Sequence, residues 1–465
     1  MVQTAASRPR LLIAGTQSGV GKSTLSLALV AALKQRGLKV QTFKVGPDYL
    51  DPGHLSWVSG RPCYNLDGWM CERGYIEELF LAASVNADIS LVEGVMGLFD
   101  GSSTDSLSGS SAEIAAWLQA PVLLVADVHG MARSFAALVK GYHELESQVG
   151  LAGVIANRCG SISHARLLSQ ALQSAALPPL FGGVLRDSLP PLASRHLGLV
   201  SAAELKLQEQ DIRLLAQAAE QQLDLDLLLK RARMAEPLSC HPRRSHAGTA
   251  AQEINLRLAV AQDEAFLFYY PDFFDLLEKL EVTLVFFSPL RDDKLPDNIA
   301  GLYLGGGYPE VHAQTLAAND SMLQAMRDFA ASGKPLYAEC GGLIYLSQGI
   351  KQEGRTFPLI GEIPVWAKML PQRKALGYVE VTLEQDSLFG ESGAVFRGHE
   401  FHYSELTDSP TGIDGWKTVY RVKQNRTGNV SAEGYQRGNV LASYAHLHLA
   451  SHPKAVKYFM QKMRQ

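Results

Sequence analysis

The sequence predicts an α/β protein with two doubly wound domains, in which helices cover both faces of a largely parallel sheet. Short apolar runs alternate with longer helical patterns over about the first 230 residues, and the alternation resumes after about residue 256. The length of 465 residues and the 46% of apolar residues are enough for several cores. We therefore expect domains over residues 1–233 and 256–465, joined by a linker over residues 234–255.

The N-terminal half contains six short apolar runs separated by helical patterns. They are Leu11–Ala14, Val40–Val45, Ile89–Val92, Val122–Ala126, Val154–Ala156 and Gly183–Leu185. Such continuous apolar runs are typical of strands that are buried on both faces of a parallel sheet. The pattern stops in the predicted linker, which carries Pro237, Pro242 and Gly248.

The C-terminal half repeats this rhythm with different residues. The runs that predict strands are Leu256–Ala261, Thr283–Phe287, Gly301–Leu304 and Pro335–Ala338. Two amphipathic patterns, Pro271–Lys279 and Ser321–Ala331, predict helices between strands. Because the sequence shows no internal repeat, we expect the two halves to be different modules.

Composition excludes several classes of protein. Lys and Arg number 43 against 47 Asp and Glu, a formal charge of −4, without the basic surplus of a nucleic-acid binder. The longest apolar runs, such as Ala120–Ala126, are far shorter than the roughly 20 residues that span a bilayer, and the first ten residues lack the apolar core of a signal peptide. We expect a cytoplasmic protein that binds neither nucleic acid nor membrane. Its five cysteines are not closely paired, which argues against a disulfide framework or a zinc ribbon.

A phosphate-binding loop follows the first predicted strand. Gly15–Thr24 reads GTQSGVGKST and leads into an apolar-periodic helix over Leu25–Leu33. In a P-loop, glycines admit backbone amides to the phosphates, the lysine reaches the terminal phosphates and the following hydroxyl meets magnesium. The strict pattern has its first glycine where this chain has Thr16. We predict an ATP site here. Its residues are Thr16, Gly19, Gly21, Lys22, Ser23 and Thr24, with Lys44 and Asn157 from later strand ends.

Carboxylates at the ends of the next two strands predict a magnesium site. Asp48 follows the second predicted strand and Glu93 ends the third. A metal-bound triphosphate needs such oxygens at the carboxyl ends of neighbouring strands. We predict Ser23, Asp48 and Glu93 as Mg²⁺ ligands, with Lys44 as a further cation for a phosphate or a substrate carboxylate. The alternative for Asp48, and more so for Asp51, is that the residue only caps a proline-rich turn.

Substrate contacts are predicted from two neighbouring segments. Tyr49, Leu50 and Asp51 follow the second strand, and Asp100 lies in the polar loop Gly97–Asp105. An ordinary surface loop is the alternative for the second segment. Similarly, the predicted adenine contact of Asn157 has a simple strand-end cap as its alternative.

One cysteine of the C-terminal half lies between a predicted strand and a predicted helix. Residues 335–346 read PLYAECGGLIYL, an apolar strand, Cys340, two glycines and an apolar helix. The glycines permit the sharp turn of a nucleophile elbow, and a helix N-terminus lowers the pKa of a thiol. We predict Cys340 as a nucleophile, with a buried structural cysteine as the alternative.

An oxyanion site and a base are predicted to accompany this cysteine. A second glycine turn follows another strand and offers backbone amides, so Gly306 and Gly341 are the candidate oxyanion donors. The activating histidine is expected near the end of the domain. We choose His446, which closely follows a short apolar run, with His448 as the substitute and Gly398–His402 as a more distant source.

With both halves considered, the chain resembles the cobyrinic acid a,c-diamide synthase family, which joins a dethiobiotin-synthetase-like ATPase to a class I glutamine amidotransferase domain. The segments that carry the resemblance span nearly the whole chain: Gly15–Thr24, Phe43–Pro52, Asn65–Asp67, Val92–Gly101, Arg195–Leu199, Gly305–Glu310, Ala338–Gly342, Gly398–Ser404 and Ala442–His448. The resemblance implies a P-loop NTPase sheet followed by a class I glutaminase-like sheet. Ordinary triad glutaminases carry a glutamate two residues after the histidine, where this chain has His448. A Cys340–His446 dyad without that carboxylate is therefore implied.

The resemblance further implies ATP-dependent amidation of the a and c side-chain carboxylates of a corrinoid, with glutamine as nitrogen donor and an acyl phosphate as intermediate. The residues alone indicate a nucleotide-driven reaction coupled to thiol hydrolysis of an amide. The expected partners are a corrinoid polycarboxylate, glutamine and ATP, with Mg²⁺ as cofactor, and a homodimer is left open. One alternative is the same reaction on hydrogenobyrinic acid or nickel-sirohydrochlorin. Another is a P-loop switch ATPase with an inactive glutaminase domain.

Overall fold

The computed structural model describes residues 7–190, 194–195, 198–199, 208–238 and 256–465. The chain divides into two compact units, Met1–Ser245 and His246–Gln465. This division falls inside the linker predicted over residues 234–255, of which 239–255 lie outside the described residues. Within the described part, no helix is long and apolar enough to cross a membrane.

The first unit is built on a seven-stranded sheet in the order β3-β2-β4-β1-β5-β6-β7. Every pair of neighbouring strands in it is parallel. Its elements are β1 (Arg10–Gly15), α1 (Lys22–Gln35), β2 (Val40–Val45), α2 (Leu50–Ser59), β3 (Tyr64–Leu66), α3 (Arg73–Ala83), β4 (Ile89–Gly97), α4 (Ser111–Trp117), β5 (Val122–Asp127), α5 (Ser134–Glu144), β6 (Leu151–Cys159), α6 (Ile162–Ser174), β7 (Leu180–Leu185), the short pair β8 (Ser194–Arg195) and β9 (Gly198–Leu199), α7 (Glu209–Gln222) and α8 (Leu225–Arg233).

The strand order brings distant sequence motifs to one edge of this sheet. Strands β2 and β1 lie on the two sides of β4, and all three run in the same direction. Their carboxyl ends therefore meet, which is where a doubly wound sheet binds its ligands. The register pairs Lys44 with Glu93, and Ile13 also pairs with Glu93. The glycine-rich loop after β1 consequently begins beside both segments that were predicted to contribute carboxylates.

The second unit contains a ten-stranded mixed sheet in the order β11-β10-β12-β13-β22-β21-β20-β17-β18-β23, and a four-stranded sheet, β15-β14-β16-β19. Its elements are β10 (Leu256–Ala261), α9 (Pro271–Lys279), β11 (Val282–Phe287), β12 (Gly301–Leu304), α10 (Ala313–Ala318), α11 (Asp320–Ala331), β13 (Leu336–Glu339), α12 (Gly341–Leu346), β14 (Gly349–Gln352), β15 (Arg355–Pro358), β16 (Ala367–Met369), β17 (Ala375–Leu383), β18 (Val395–His402), β19 (Ser404–Leu406), β20 (Lys417–Gln424), β21 (Val430–Arg437), β22 (Val440–Ser443), β23 (His446–Leu447), a 3₁₀ turn (Leu449–Ser451) and α13 (Pro453–Met463).

The α/β class is confirmed, and every apolar run that predicted a strand forms one. Helix α9 spans Pro271–Lys279 as predicted, and α11 begins one residue before the predicted Ser321. The sequence did not predict the antiparallel half of the large sheet. In the spatial order of that sheet, the neighbouring pairs among β11, β10, β12, β13 and β22 are parallel. The pairs from β22 through β21, β20, β17 and β18 to β23 are antiparallel. These antiparallel strands carry mixed polar and apolar residues with no long apolar run, so the signal for them is weak.

Candidate functional site

The glycine-rich loop of the first unit has the backbone of a phosphate cradle. Gly19 and Gly21 have φ values of 78° and 95°, in the left-handed region that favours glycine, and α1 begins directly after Gly21. A Cβ on Gly21 would lie 2.4 Å from the Nδ2 atom of Asn157. Both the conformation and the close packing therefore require glycine at this position.

Lys22 crosses the cradle. Its Nζ atom donates a hydrogen bond to the carbonyl oxygen of Gln17 at 3.2 Å and another to that of Met96. Burial and the nearby charge of Lys44 together lower the pKa of Lys22 to about 8. An approaching anion would stabilise the ammonium form, because an opposite charge favours ionisation. This lysine is thus placed to respond to phosphate binding.

A buried ionic cluster lies beside the cradle and consists of Ser23, Lys44, Asp51 and Glu93. The Nζ atom of Lys44 is 2.5 Å from Asp51 Oδ2 and 2.7 Å from Glu93 Oε1. The Ser23 hydroxyl donates to Glu93 Oε1 at 2.8 Å and lies 3.2 Å from Asp51 Oδ2. Burial lowers the pKa of Lys44, but the two carboxylates outweigh it and hold the pKa well above its usual value. The cluster therefore has a fixed cation between two carboxylates.

Asp48, the predicted magnesium ligand, has a different position. Its Oδ1 atom accepts hydrogen bonds from the backbone N–H groups of Leu50 at 2.7 Å and Asp51 at 3.1 Å, so it caps the first turn of α2. Burial and the nearby charge of Asp51 raise the pKa of Asp48 to about 6. The structure thus brings Asp51, not Asp48, to Ser23 and Glu93. An aspartate whose side chain bonds the backbone N–H two residues later forms an Asx turn, and an aspartate in this proline-rich segment was the signal available in the sequence.

The remaining predicted residues of the first unit surround this cluster and the cradle. Asn157 donates through Nδ2 to the carbonyl of Val20 at 2.8 Å, which braces the cradle, and its adenine contact stays a prediction. Asp100 accepts a hydrogen bond from the Gly97 N–H at 2.9 Å and holds the turn after β4. A cavity of about 400 Å³ opens beside Thr16. Its lining residues are Thr16, Gln17, Asp127, His129, Met131, Leu138 and Tyr142.

The nucleophile turn of the second unit has strained geometry. Cys340 links β13 to α12 with φ 47° and ψ −97°, an unfavourable conformation for a residue with a Cβ. Its N–H donates to the carbonyl of Ser443 at 2.7 Å, which ties the turn to β22. The thiol is free and the residue is 6% exposed. Such backbone strain between a strand and a helix is typical of nucleophile elbows.

His446 is the histidine that contacts this thiol. It is buried at the start of β23 and hydrogen-bonds the Cys340 side chain. Burial lowers its pKa, but the neighbouring Cys340 and Glu339 side chains outweigh burial and raise the pKa to about 10. This raised value favours the imidazolium form of His446. His448 instead directs Nε2 toward Asp272 Oδ2 at 3.3 Å.

Two glycine turns meet beside the nucleophile. A Cβ on Gly306 would lie 2.5 Å from Cε1 of His446, and a Cβ on Gly341 would lie 3.0 Å from the amide nitrogen of Gly307. The carbonyl of Gly306 accepts from the N–H groups of Leu267 and Phe268, both at 3.0 Å. The C=O and N–H of a planar trans peptide point in opposite directions, so the Gly307 N–H points away from Leu267 and Phe268, and its nitrogen lies beside Gly341. Gly307 is thus an oxyanion candidate that the sequence analysis did not name.

A buried carboxylate that sequence reasoning also missed lies behind the histidine. Oε2 of Glu339 is 3.7 Å from Nδ1 of His446. On the other side of the imidazole, the ring of His399 stacks at 4.9 Å between centroids and 15° between planes. Burial, together with the nearby charges of His446 and His448, lowers the pKa of His399 well below its usual value. His399 is therefore a neutral neighbour.

Comparison with known proteins matches both units and the whole chain. Residues 11–199 match the sequence model of the CobQ/CobB/MinD/ParA nucleotide binding domain, and residues 257–454 match that of the CobB/CobQ-like glutamine amidotransferase domain. The chain is 53% identical over 459 residues to the cobyrinate a,c-diamide synthase of Syntrophotalea carbinolica, covering 98% of this chain and 99% of that protein. The chain belongs to the cobyrinate a,c-diamide synthase family. Proteins of that name from Leptospira interrogans and Salmonella typhimurium are 45% and 40% identical, with at least 97% of each chain covered.

Membership of the cobyrinate a,c-diamide synthase family confirms the resemblance drawn from the nine sequence segments. It also confirms a nucleotide-binding domain that uses ATP and a glutamine amidotransferase domain. One of those segments, Arg195–Leu199, includes residues outside the described part of the chain. Among the described residues, no group of three or more His, Cys, Asp or Glu side chains is arranged to hold a metal ion.

Proposed function

We propose that the protein amidates the a and c side-chain carboxylates of cobyrinic acid, using ATP and the amide nitrogen of glutamine. The observation that carries this proposal is the presence of two reactive centres, Lys22 with Ser23 and Cys340 with His446, in one chain. Relatives named cobyrinate a,c-diamide synthase match this chain over nearly its whole length. An inactive glutaminase domain would not need the contact between thiol and imidazole.

The second unit releases ammonia from glutamine. The Cys340 thiolate attacks the carboxamide carbon, and the N–H groups of Gly307 and Gly341 stabilise the resulting oxyanion. The imidazolium of His446 gives its proton to the departing nitrogen, so that ammonia and a thioester form. The neutral imidazole then takes a proton from water, which attacks the thioester. Glutamate leaves, and the thiolate–imidazolium pair is restored.

The first unit activates the substrate carboxylate. A carboxylate oxygen attacks the γ-phosphorus of ATP, the bond to the bridging oxygen breaks, and ADP leaves with an acyl phosphate formed. Backbone amides of the cradle and the Lys22 ammonium stabilise the charge on the phosphates. Ammonia then attacks the acyl carbon, and inorganic phosphate departs in place of the oxide ion, which is a poor leaving group. The loop Gly97–Asp105 is proposed to cover the acyl phosphate from water.

The ionic cluster of the first unit suits a magnesium ion. Oε2 of Glu93 is buried without a hydrogen-bond partner among the described residues, and carboxylate and hydroxyl oxygens are the ligands that Mg²⁺ prefers. We assign Ser23, Asp51 and Glu93 as the residues that hold it, and Asp48 as the cap that fixes the turn carrying Asp51. When bound, the metal neutralises charge on the β- and γ-phosphates. Lys44 is proposed as a further cation that faces a phosphate or a substrate carboxylate.

The substrate carboxylate is proposed to approach along α2 and the turn after β4. Tyr49 and Leu50 form the beginning of α2, and Asp100 holds the turn. The cavity beside Thr16 provides room for a side chain of a large polycarboxylate. Its lining includes His129, which can hydrogen-bond such groups.

The test is glutamine-dependent ADP release measured with a panel of tetrapyrrole carboxylates: cobyrinic acid, hydrogenobyrinic acid and nickel-sirohydrochlorin. We expect turnover with cobyrinic acid, two amides per corrinoid, and one ADP per amide. The Cys340→Ser variant supplied with glutamine is the matched control and is expected to be inactive. Turnover restricted to another tetrapyrrole would overturn the substrate assignment. A rate of ATP hydrolysis that does not change when glutamine or any of the carboxylates is added would instead support a P-loop switch ATPase.

A further inference from the structure

We propose that Glu339 is the carboxylate that positions His446, and that it replaces the glutamate which triad glutaminases carry two residues after the histidine. Glu339 directly precedes the nucleophile, so the strand that delivers the thiol also delivers the group that orients its base. This inference rests on the proposed glutaminase function of the second unit. It names Glu339 as a positioning residue, because the carboxylate acts through the imidazole.

The contact joins two buried groups. Oε2 of Glu339 lies 3.7 Å from Nδ1 of His446, and both side chains are 2% exposed. Water and salt screen a buried pair far less than a surface pair. A negative charge at Nδ1 favours the tautomer with its proton on that nitrogen, and it stabilises the imidazolium. Nε2 is then the nitrogen left to exchange a proton with the thiol of Cys340.

The carboxylate is itself held in place from three directions. Oε1 accepts hydrogen bonds from the Tyr337 hydroxyl at 2.6 Å and from the backbone N–H of Leu447 at 3.1 Å. Oε2, the oxygen that faces the imidazole, accepts from the Tyr303 hydroxyl at 2.8 Å. Because Leu447 follows His446, one carboxylate fixes both the ring and the backbone of β23. This anchoring is what a positioning group needs, since a mobile carboxylate would not define the orientation of the ring.

The residue at the usual triad place is engaged elsewhere. His448 lies 3.3 Å from Asp272 Oδ2 through its Nε2 atom, and its ring packs at 4.9 Å from that of Tyr270. An imidazole there cannot supply the negative charge that a triad glutamate supplies. Asp272 is therefore the alternative carboxylate that could orient His446, but it contacts His448 and would act on His446 only through that second imidazole.

Other titratable groups around His446 offer no equivalent charge from as close. Those whose charges act on it, or which its charge affects, come from two strands and the nucleophile turn: Glu339 of β13, Cys340, and His399, Glu400 and His402 of β18. His448, just after β23, acts on the neighbouring His399. Burial lowers the pKa of His399 well below its usual value and that of His402 to about 4, so both are neutral near pH 7. Burial raises the pKa of Glu400, which weakens its claim as a fixed anion.

The experiment compares Glu339→Gln with Glu339→Asp in the full-length enzyme, with Asp272→Asn as the matched control. Glutamine hydrolysis is measured as a function of pH. We expect E339Q to lose at least about tenfold in kcat with little change in the KM for glutamine, because orientation is lost while binding is kept. E339D, which keeps the charge, should recover part of that loss.

The pH dependence of kcat/KM distinguishes a positioning role from a structural one, because loss of a purely structural residue would not shift the limbs of this profile. Removal of the negative charge destabilises the imidazolium, so the alkaline limb of kcat/KM should move to lower pH in E339Q. The limb should stay in place in D272N. An unmoved limb and an unchanged kcat in E339Q would overturn the proposal. An equal displacement in D272N would also overturn it, because the orienting charge would then act through His448.

Two measurements keep the inference separate from the function on which it rests. If the wild-type enzyme hydrolyses no glutamine, the proposed function fails first, whereas an active wild type with an unaffected E339Q refutes only the role of Glu339. Ammonia-supported amidation should be unchanged in E339Q, since it needs the first unit alone. If E339Q does not fold, ¹⁵N NMR spectra of the wild-type enzyme with labelled histidines can instead report which nitrogen of His446 carries the proton. A His446 Nδ1 that carries its proton from about pH 6 to about pH 9 supports the proposal, and a neutral Nε2–H tautomer overturns it.

Discussion

At the scale of single residues, two histidines in one short segment have opposite surroundings. His446 contacts the Cys340 thiol, whereas His448 faces Asp272. Both are buried, so burial does not distinguish them. In a regular strand, residues two positions apart point to the same face of the sheet. Because β23 ends at Leu447, His448 lies outside the strand and does not share the face of His446.

We expect His446→Ala to lower the rate of glutamine hydrolysis by at least about a hundredfold, the lower range for loss of a general base. His448→Ala should lose much less, because its partner is Asp272. Steady-state assays of both variants, with folding checked by thermal unfolding, measure the difference. An active His446 variant beside a crippled His448 variant would reverse the assignment.

The carboxylates of the first unit give a second contrast between neighbouring residues. Asp51→Asn and Glu93→Gln should abolish ATP-dependent amidation while sparing glutamine hydrolysis, since a neutral amide is a poorer ligand for magnesium. Asp48→Asn should keep most of its activity, because asparagine caps a helix about as well as aspartate does. Amidation assays over a range of magnesium concentrations compare the three. Loss of activity in Asp48→Asn, with Asp51→Asn unaffected, would restore Asp48 as the ligand.

At the scale of elements, the loop between β1 and α1 shows how a glycine serves two constraints. Gly21 has φ 95° and would place a Cβ 2.4 Å from Nδ2 of Asn157, whereas Gly19 has φ 78° and no atom within 4 Å of such a Cβ. Both positions impose backbone strain on any other residue. Only Gly21 adds a steric conflict with the side chain that braces the loop.

We expect Gly21→Ala to weaken ATP binding much more than Gly19→Ala, because both pay the same kind of conformational penalty and only the first displaces Asn157. Nucleotide titration by calorimetry measures the two affinities. The glutaminase rate without ATP should be unchanged in both, which serves as the internal control. Equal losses would mean that strain alone governs the loop.

At the scale of the whole molecule, the two units divide one reaction between two chemistries. A thiol centre of the second unit hydrolyses an amide, and a phosphate cradle of the first activates a carboxylate. Each step is proposed to use the side chains of its own unit's centre. Variants of one centre should therefore leave the partial reaction of the other intact.

The clearest case is Cys340→Ser. We expect it to abolish amidation supported by glutamine and to leave amidation supported by ammonia largely intact, because a serine hydroxyl is far less ionised than a thiol. Product formation with each nitrogen source, at matched substrate concentrations, measures this. Equal loss with both sources would contradict the division of labour.

The fate of the carboxylate oxygen tests the activation step. A P-loop encloses the proximal phosphates and exposes the γ-phosphate, so we expect ADP and an acyl phosphate. With substrate labelled by heavy oxygen in its carboxylates, one labelled oxygen should appear in inorganic phosphate for each amide formed. Mass spectrometry of the phosphate measures the transfer. Unlabelled phosphate, or AMP with pyrophosphate, would refute this chemistry.

The sequence by itself determined the α/β class, the parallel strands, the phosphate cradle and the nucleophile turn. These features rest on local patterns, such as continuous apolar runs and glycines at fixed spacing from Lys22 or Cys340, which report backbone and burial directly. Family membership followed from the same segments. The choice of His446 over His448 was also made from the sequence, and it agrees with the contact to the thiol.

Only the tertiary structure decided which groups from distant strands share one site. Asp51 meets Ser23 and Glu93 because α2 is capped by Asp48, and Glu339 meets His446 because β13 and β23 converge on one point. A carboxylate next to a nucleophile carries no periodic signal that tells where its oxygens point. Direction at a strand end depends on packing against residues far away in the chain, and sequence spacing does not contain that information.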